Sequence, residues 1–380
     1  MAREANVSTG NIIAVAVHEV ARGWSNATID TADGTREVLS PVAAALADES
    51  LVVWARTACS GPRCGLQYST KPLGQAWSTP VTLVADYPVP VSDPLWDMAV
   101  SPLGSRAIFA WPPAGASAGG VRRYVNGQGW AAPETLRVGA GARAIIDEDD
   151  SAIVVSISTS APQLLTSVYR TSSGWSSSLI DSPAPIGTPA GPTAPGRSAL
   201  VLAGSTHSYA AALWSTRDGS NRQLWCSRYS ASGNDWSTPE LVDTSAHPTF
   251  YLYQADVDDQ GRVLVTYQGL FSGRLALLRP GQATVRAAVG DVSSAAFAPA
   301  GDRLGVAVHA SLRSPATTIV ARELDGEGMW LTETTTITDS GDPSGSSAWV
   351  AGLRFDHFGQ GLVVWDQQVT TEVLQASWYR

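Results

Sequence analysis

Ala76-Trp77-Ser78-Thr79-Pro80, Gly129-Trp130-Ala131-Ala132-Pro133 and Asp235-Trp236-Ser237-Thr238-Pro239 are one phrase written three times. A Trp closing a turn, most often a Gly-containing one, recurs at Trp24, Trp77, Trp130, Trp175, Trp236 and Trp330. The spacing is roughly fifty residues, or twice that where one repeat lacks its Trp near Gly281-Gln282-Ala283. Self-similarity at such a period marks a repeat architecture, not a string of unrelated domains.

Outward from each phrase the surrounding text repeats too. An apolar strand ends on an aromatic in Leu51-Val52-Val53-Trp54, Ile108-Phe109-Ala110-Trp111, Ala212-Leu213-Trp214, Val263-Leu264-Val265-Thr266-Tyr267 and Leu362-Val363-Val364-Trp365. The repeats ending at Ser156 and His309 fill the same slot without an aromatic, which brings the count to seven. A further strand and a tight turn precede each, as in Val257-Asp258-Asp259-Gln260-Gly261-Arg262, where Asp and Gly supply turn chemistry. An alternating strand follows each, as in Leu224-Trp225-Cys226-Ser227-Arg228-Tyr229. No segment sustains a helical period. One repeat is therefore four strands, a to d, with a variable b–c loop and the Gly-Trp turn between c and d. Four antiparallel strands per repeat is a propeller blade.

The expected fold is all-β: a seven-bladed β-propeller forming one domain over 1–380. Its blades lie near 41–86, 93–138, 141–182, 198–243, 250–290, 293–338 and 346–380 plus 11–30. The chain ends on a c strand, and the missing Gly-Trp and d strand stand at the N-terminus, in Gly23-Trp24-Ser25-Asn26-Ala27-Thr28-Ile29. The N-terminal strand is thus expected to close the last blade and remove the open edge. The stretch Ile12 to Val20 reads as an additional strand there.

Composition narrows the partners. The 380 residues carry a net charge of −9, with only 16% charged residues, and Arg supplies nearly all the positive charge. An acidic chain without a basic stripe excludes nucleic acid as an expected partner, because phosphate backbones need clustered cations. No apolar run approaches the ~18 residues of a membrane span. The start Met-Ala-Arg-Glu-Ala is no signal peptide, so the chain is either cytoplasmic or has lost a leader. Cys59-Ser-Gly-Pro-Arg-Cys64 suits a local disulfide, with two free thiols in a loop as the alternative. Beside Cys59 and Cys64 no second Cys or His pair stands at metal-ligand spacing, so no metal and no cofactor are expected.

Leu224 to Ser230, Trp236 to Val242 and Ala255 to Gly261 together resemble the repeat of bacterial secreted propeller proteins. That repeat runs Leu-Trp-x-x-Arg-Tyr, Gly-Trp-x-x-Pro, Val-Asp-x-x-Gly, and the resemblance covers nearly the whole chain. More distantly it is similar to the Asp-box repeats of sialidases, although here the Trp is kept and the Ser and Asp are mostly missing. The resemblance implies a propeller in the envelope or exterior, hence a secreted or periplasmic protein whose leader has been removed, with a cytoplasmic location as the other reading.

Alternation puts the a–b and c–d turns at one face of the ring and the irregular b–c and d–a loops at the other. Variable loops on a rigid scaffold are where function is usually placed. The candidates for ligand binding there are Trp96, Trp111, Tyr251, Tyr253, Trp349, Arg56, Arg217 and Asp218. Arg63, Arg222 and Arg274 lie near the same loops. A flat aromatic beside Arg and Asp suits a sugar ring or another planar ligand. The reading is a ligand-binding propeller that recognises a glycan or other small molecule at the channel mouth. One alternative is an enzyme with a single asymmetric pocket, a glycoside hydrolase or lyase using Asp97 and Asp366, or a cyclase or isomerase of an apolar substrate. Another is a scaffold for a protein partner.

Overall fold

The computed structural model describes residues 2–4, 12–19, 23–31, 38–57, 64–87, 96–113, 119–158, 160–186, 199–218, 221–245, 251–269, 272–288, 291–297, 305–313, 316–325, 330–336, 347–355, 361–368 and 372–379. All regular structure among them is β-strand, and every strand pairing is antiparallel between neighbours close in sequence. The chain divides into two compact units, Met1–Leu179 and Ile180–Arg380.

In the first unit, β1 (Ala2–Glu4), β2 (Ile12–Glu19) and β3 (Gly23–Thr31) make a three-stranded sheet. The next sheet holds β4 (Val38–Ala45), β5 (Glu49–Thr57), β6 (Cys64–Pro72) and β7 (Val81–Tyr87). The third holds β8 (Asp97–Val100), β9 (Arg106–Trp111) and β10 (Gly120–Val125), with β11 (Gly129–Trp130) and β12 (Glu134–Thr135) both paired to β10. The fourth holds β13 (Ala140–Ile146), β14 (Ala152–Ile157), β15 (Gln163–Arg170) and β16 (Gly174–Asp181), the last strand carrying the division between units.

In the second unit, β17 (Leu200–Gly204), β18 (Tyr209–Asp218) and β19 (Asn221–Ser230) are joined by β20 (Asp235–Trp236) and β21 (Glu240–Ser245), both paired to β19. Two four-stranded sheets follow: β22 (Tyr251–Val257), β23 (Val263–Gly269), β24 (Ser272–Leu278) and β25 (Val285–Ala288), then β26 (Asp291–Phe297), β27 (Gly305–Arg313), β28 (Ala316–Leu324) and β29 (Trp330–Thr336). A three-stranded sheet of β30 (Ser347–Phe355), β31 (Gly361–Gln368) and β32 (Glu372–Tyr379) comes last.

Within each unit the first strands of successive sheets touch: β4 with β8 and β8 with β13 in one, β17 with β22, β22 with β26 and β26 with β30 in the other. The sheets pack face to face through apolar clusters. Val53, Ala55, Leu66 and Tyr87 meet Phe109 and Trp111, and Leu213, Leu224 and Cys226 meet Val263, Val265 and Tyr267. The second strand of a sheet is covered on both faces, so it reads as an unbroken apolar run instead of alternating. Leu51 to Ala55, Ala107 to Ala110 and Ala210 to Trp214 are all buried.

The repeated phrase has a structural meaning at each position. Gly129 (φ 90°) and Gly174 (φ 74°) take the left-handed backbone that the c–d turn requires, and Asn234 (φ 50°) stands in for Gly in the turn before Trp236. The Trp that follows lies against the Tyr of the preceding strand, with ring centroids 5.1 Å apart for Tyr124–Trp130, 5.2 Å for Tyr169–Trp175 and 5.4 Å for Tyr229–Trp236. Ser237 accepts at its carbonyl from Ser227 Oγ (2.6 Å), as Ser78 does from Ser69 Oγ (2.8 Å). The Arg before Tyr reaches the Glu after Pro: Arg123 to Glu134 at 2.9 Å and Arg228 to Glu240 at 2.5 Å. Pro133 and Pro239 interrupt the outer strand, splitting it into β11/β12 and β20/β21. A proline lacks the N–H that a partner strand would need, so the interruption blunts an exposed edge.

Candidate functional site

Among the described side chains, the aromatics that end the second strands face the interior. Trp54 and Trp214 are fully buried. The Trp214 indole N–H donates to Ser182 Oγ (3.1 Å), and the Tyr267 hydroxyl donates to Asp243 Oδ2 (2.9 Å). Ser156, in the same slot, accepts from the Gly139 amide (2.8 Å). The slot is thus a polar staple at the edge of an apolar interface between neighbouring segments.

Two predicted ligand-binding aromatics lie in that interface. Trp96 is 3% exposed and Trp111 4%. Trp96 sits edge-on to Tyr87 (6.2 Å) and tilted on Phe109, and Phe109 stacks on Trp111 (5.9 Å). Tyr87 donates to the Pro112 carbonyl (2.9 Å), and its burial pushes the phenol pKa up, so it stays a donor. The Trp111 ring lies so close to Gly120 that a Cβ there would be 2.8 Å from it. These rings shape the wall from within and present little face to solvent.

Asp97 opens β8, and its Oδ2 accepts from the Ala144 amide of β13 at 3.0 Å. Asp256 of β22 makes the same bond to the Phe297 amide of β26 at 2.8 Å. The recurrence gives Asp97 a structural duty, pinning one first strand to the next. Asp366 and Trp349 are register partners across β31 and β30. Tyr251 and Tyr253 lie on β22, and Asp218 ends β18, paired with Asn221. The side chains of Asp218, Tyr251, Tyr253, Trp349 and Asp366 lie outside the described ones. Cys59 and Arg63 lie outside the described residues, and Cys64 opens β6. Arg56 pairs with Gly65 near the end of β5.

The two ends of the sheets differ in chemistry. At the tight-turn end of the first unit, Glu148 accepts from the Leu103 amide and Ser105 Oγ, while its carbonyl takes the Arg106 Nε–H (2.9 Å). Arg123 pairs with Asp150 and Glu134 and lies 3.8 Å over the Tyr169 ring, and the Trp175 N–H donates to Glu134 (2.9 Å). Charges there are matched within the fold.

At the other end, in the second unit, arginines gather. Asp243 of β21 accepts from Tyr267 and from Arg274 (2.6 Å), and Arg286 donates to the Val242 carbonyl (2.6 Å). Burial, then the Asp243 charge, push the Tyr267 pKa up, which leaves it a proton donor and not a base. Two residues from this cluster, Arg222 faces Ser245 across β19 and β21, and Arg222 is also the direct partner of Arg217 across β18 and β19. Asp243 and Arg286 had no signal in the sequence, because they lie on outer strands of different repeats and no spacing links them.

Among the described residues no group of three or more His, Cys, Asp or Glu could hold a metal ion, and no helix is long and apolar enough to cross a membrane.

No family model matches the sequence, and no curated protein matches it. Solved structures do match in fold. The Dos1 propeller aligns over 99% of this chain and 88% of its own at 10% identity, with a TM-score of 0.52. The β-propeller domain of the Trilobed protease from Pyrococcus furiosus aligns over 91% and 95% at 10% identity, TM-score 0.51. An ulvan lyase of a new polysaccharide lyase family aligns over 88% and 90% at 10% identity, TM-score 0.51. At such identity the likeness speaks for the fold, and that fold is the β-propeller.

Proposed function

We propose that this chain is a seven-bladed propeller that binds a saccharide at the mouth formed by its b–c and d–a connections. The observation that carries the reading is that Arg217, Arg222, Arg274 and Arg286 gather at the b–c and d–a end of the second unit, beside irregular loops. Donor-rich groups at the rim of a rigid scaffold are what a hydroxylated ligand requires. In this reading Arg56, Arg217, Asp218, Tyr251, Tyr253 and Trp349 contact the ligand, and buried Trp96 and Trp111 shape the mouth from below.

The seventh blade in this proposal takes β30, β31 and β32 from the end of the chain and an outer strand from residues 11–30. The protein works in the periplasm or outside the cell. Two fold neighbours are polysaccharide lyases, one bound to -[GlcA(1-4)Rha3S]-, which favours a saccharide over a protein partner and makes a lyase the second reading. The lyase reading needs a base at the mouth, and Asp97 and Asp366 are its candidates. Calorimetry of the full chain with neutral and acidic oligosaccharides tests the proposal. Saturable binding at a Kd below about 1 mM is expected, without turnover. Turnover that disappears in Asp97→Asn or Asp366→Asn would move the assignment to the lyase.

A further inference from the structure

The polar staple at the end of the second strand does not require a charge. Trp214 donates to Ser182 Oγ (3.1 Å), and in the next sheet Tyr267 donates to Asp243 Oδ2 (2.9 Å). Ser182 and Asp243 each stand seven residues after the Trp of a c–d turn, Trp175 and Trp236. At the same offset from Trp77 and Trp130 stand Val84 and Arg137, so a carboxylate is no part of the repeat. A hydroxyl serves the staple, and the charge of Asp243 has another use. Two guanidinium groups converge on it. Arg274 donates to Oδ2 at 2.6 Å, and Arg286 lies 4.0 Å from Oδ1 with its Nε–H on the Val242 carbonyl at 2.6 Å. Arg274 faces Ala288 and Arg286 faces Ala276, so the two arginines are diagonal neighbours on one face of β24 and β25. Asp243 is 12% exposed, whereas Arg274 is 34% and Arg286 45%. The carboxylate thus lies within and the guanidinium groups outermost, two positive charges on one negative, in a chain whose net charge is −9.

We propose that Arg274 and Arg286 seat an anionic group, a carboxylate or sulfate ester, carried by the saccharide of the proposed function. The inference rests on that saccharide reading and adds the charge class of the ligand. Each guanidinium carries five N–H donors. Arg274 uses Nη1 on Asp243 and also meets the Tyr267 hydroxyl, and Arg286 uses Nε on Val242. The two Nη groups of Arg286 have no further acceptor among the described residues. Paired N–H donors match two oxygens of a carboxylate or sulfate. Asp243 and the Val242 carbonyl fix the two side chains before the ligand arrives, which lowers the entropy that binding costs.

Three galactose-based tetrasaccharides separate the sources: oligogalacturonate for a carboxylate, κ-carrageenan for a sulfate ester, and a neutral galactan. Each is titrated calorimetrically into the full chain and into Arg274→Gln, Arg286→Gln and a control at the opposite end of the same sheet, Arg279→Gln. At least one charged tetramer is expected to bind about tenfold or more tighter than the neutral one. Arg274→Gln and Arg286→Gln should each remove about that factor for the charged tetramer alone, with Arg279→Gln unchanged. Thermal unfolding of every variant accompanies the titrations, and the more exposed Arg286 carries the test if Arg274→Gln fails to fold. Equal binding of neutral and charged tetramers overturns the anion seat and keeps the saccharide reading. Unchanged affinity in the folded arginine variants, or an equal loss for neutral and charged tetramers, overturns the seat as well. Absence of binding by all three tetramers overturns the saccharide reading, and the seat with it.

Discussion

Tyr229 and Trp236 show how one residue pair recurs from sheet to sheet, at Tyr124–Trp130 and Tyr169–Trp175 as well. Their cross-strand contact, repeated by Tyr124–Trp130, gives these c–d turns an apolar anchor of about 0.5–1.5 kcal/mol beyond the area it buries. The staple between Trp214 and Ser182 adds a half-buried hydrogen bond. Phe in place of Trp214 leaves Ser182 Oγ without this donor and the site slightly underfilled. A loss of about 1–3 kcal/mol is expected in urea unfolding, and an unchanged midpoint would remove the staple. Glu148 gives the pH dependence. Burial works against its charge, but the bonds from Ser105, Ser101 and the Leu103 amide prevail and hold its pKa below the ordinary value. A carboxyl whose folded pKa is depressed stabilises the fold above its unfolded pKa, and that contribution fades as pH falls through the folded value. Glu148→Gln should therefore be less stable than the parent at neutral pH, with the gap narrowing from roughly pH 5 downward. A gap that stays constant in chemical denaturation across that range would contradict the assignment. At this scale the repeated residues were legible because each recurs beside the same turn. Trp96 was harder to read: its departure from the repeat suggests function, yet the ring is buried against Tyr87 and Phe109.

Strand d is the element on which sequence and solubility meet. In Trp-x-x-Pro the proline falls between two short pairings to the same neighbour, so no long outer edge forms in the sheets of β8–β12 and β17–β21. β16, whose Trp175-Ser176-Ser177-Ser178 has no proline, runs unbroken from Gly174 to Asp181. Replacing Pro133 and Pro239 together by Thr should restore N–H donors to two edges and raise self-association in light scattering. Scattering equal to the parent would show that the prolines serve only the turn. The b–c hairpin of β9 and β10 is governed by a different constraint. A Cβ on Gly120 would lie 2.7 Å from the Glu134 carbonyl and 2.8 Å from the Trp111 ring. Gly120→Ala should cost about 1–3 kcal/mol through overpacking, read as a lower unfolding midpoint. Strand order was legible from local turns and apolar runs. The cluster around Asp243 was not, because Asp243 meets Tyr267 and Arg274 across neighbouring sheets and nothing in the spacing links them.

For the molecule as a whole, the repeat period set the architecture and the likeness to solved propellers supports it. Both terminal sheets have three strands, and the proposed seventh blade joins material from each. Deleting residues 1–31 would then remove an outer strand from the last blade, and thermal unfolding should begin at markedly lower temperature. A truncated chain with the parent's midpoint would count against the shared blade. What the propeller holds is less legible than the fold itself, because the repeat specifies the scaffold and the loops carry no repeated text. Hydrogen–deuterium exchange of the full chain, with and without a saturating oligosaccharide, tests the functional claim most directly. Protection confined to peptides spanning 54–58, 216–224, 244–254 and 347–351 is predicted. Protection at the tight turns around 101–105, 126–129 and 231–235, with none at the former, would place the ligand at the wrong end and contradict the account.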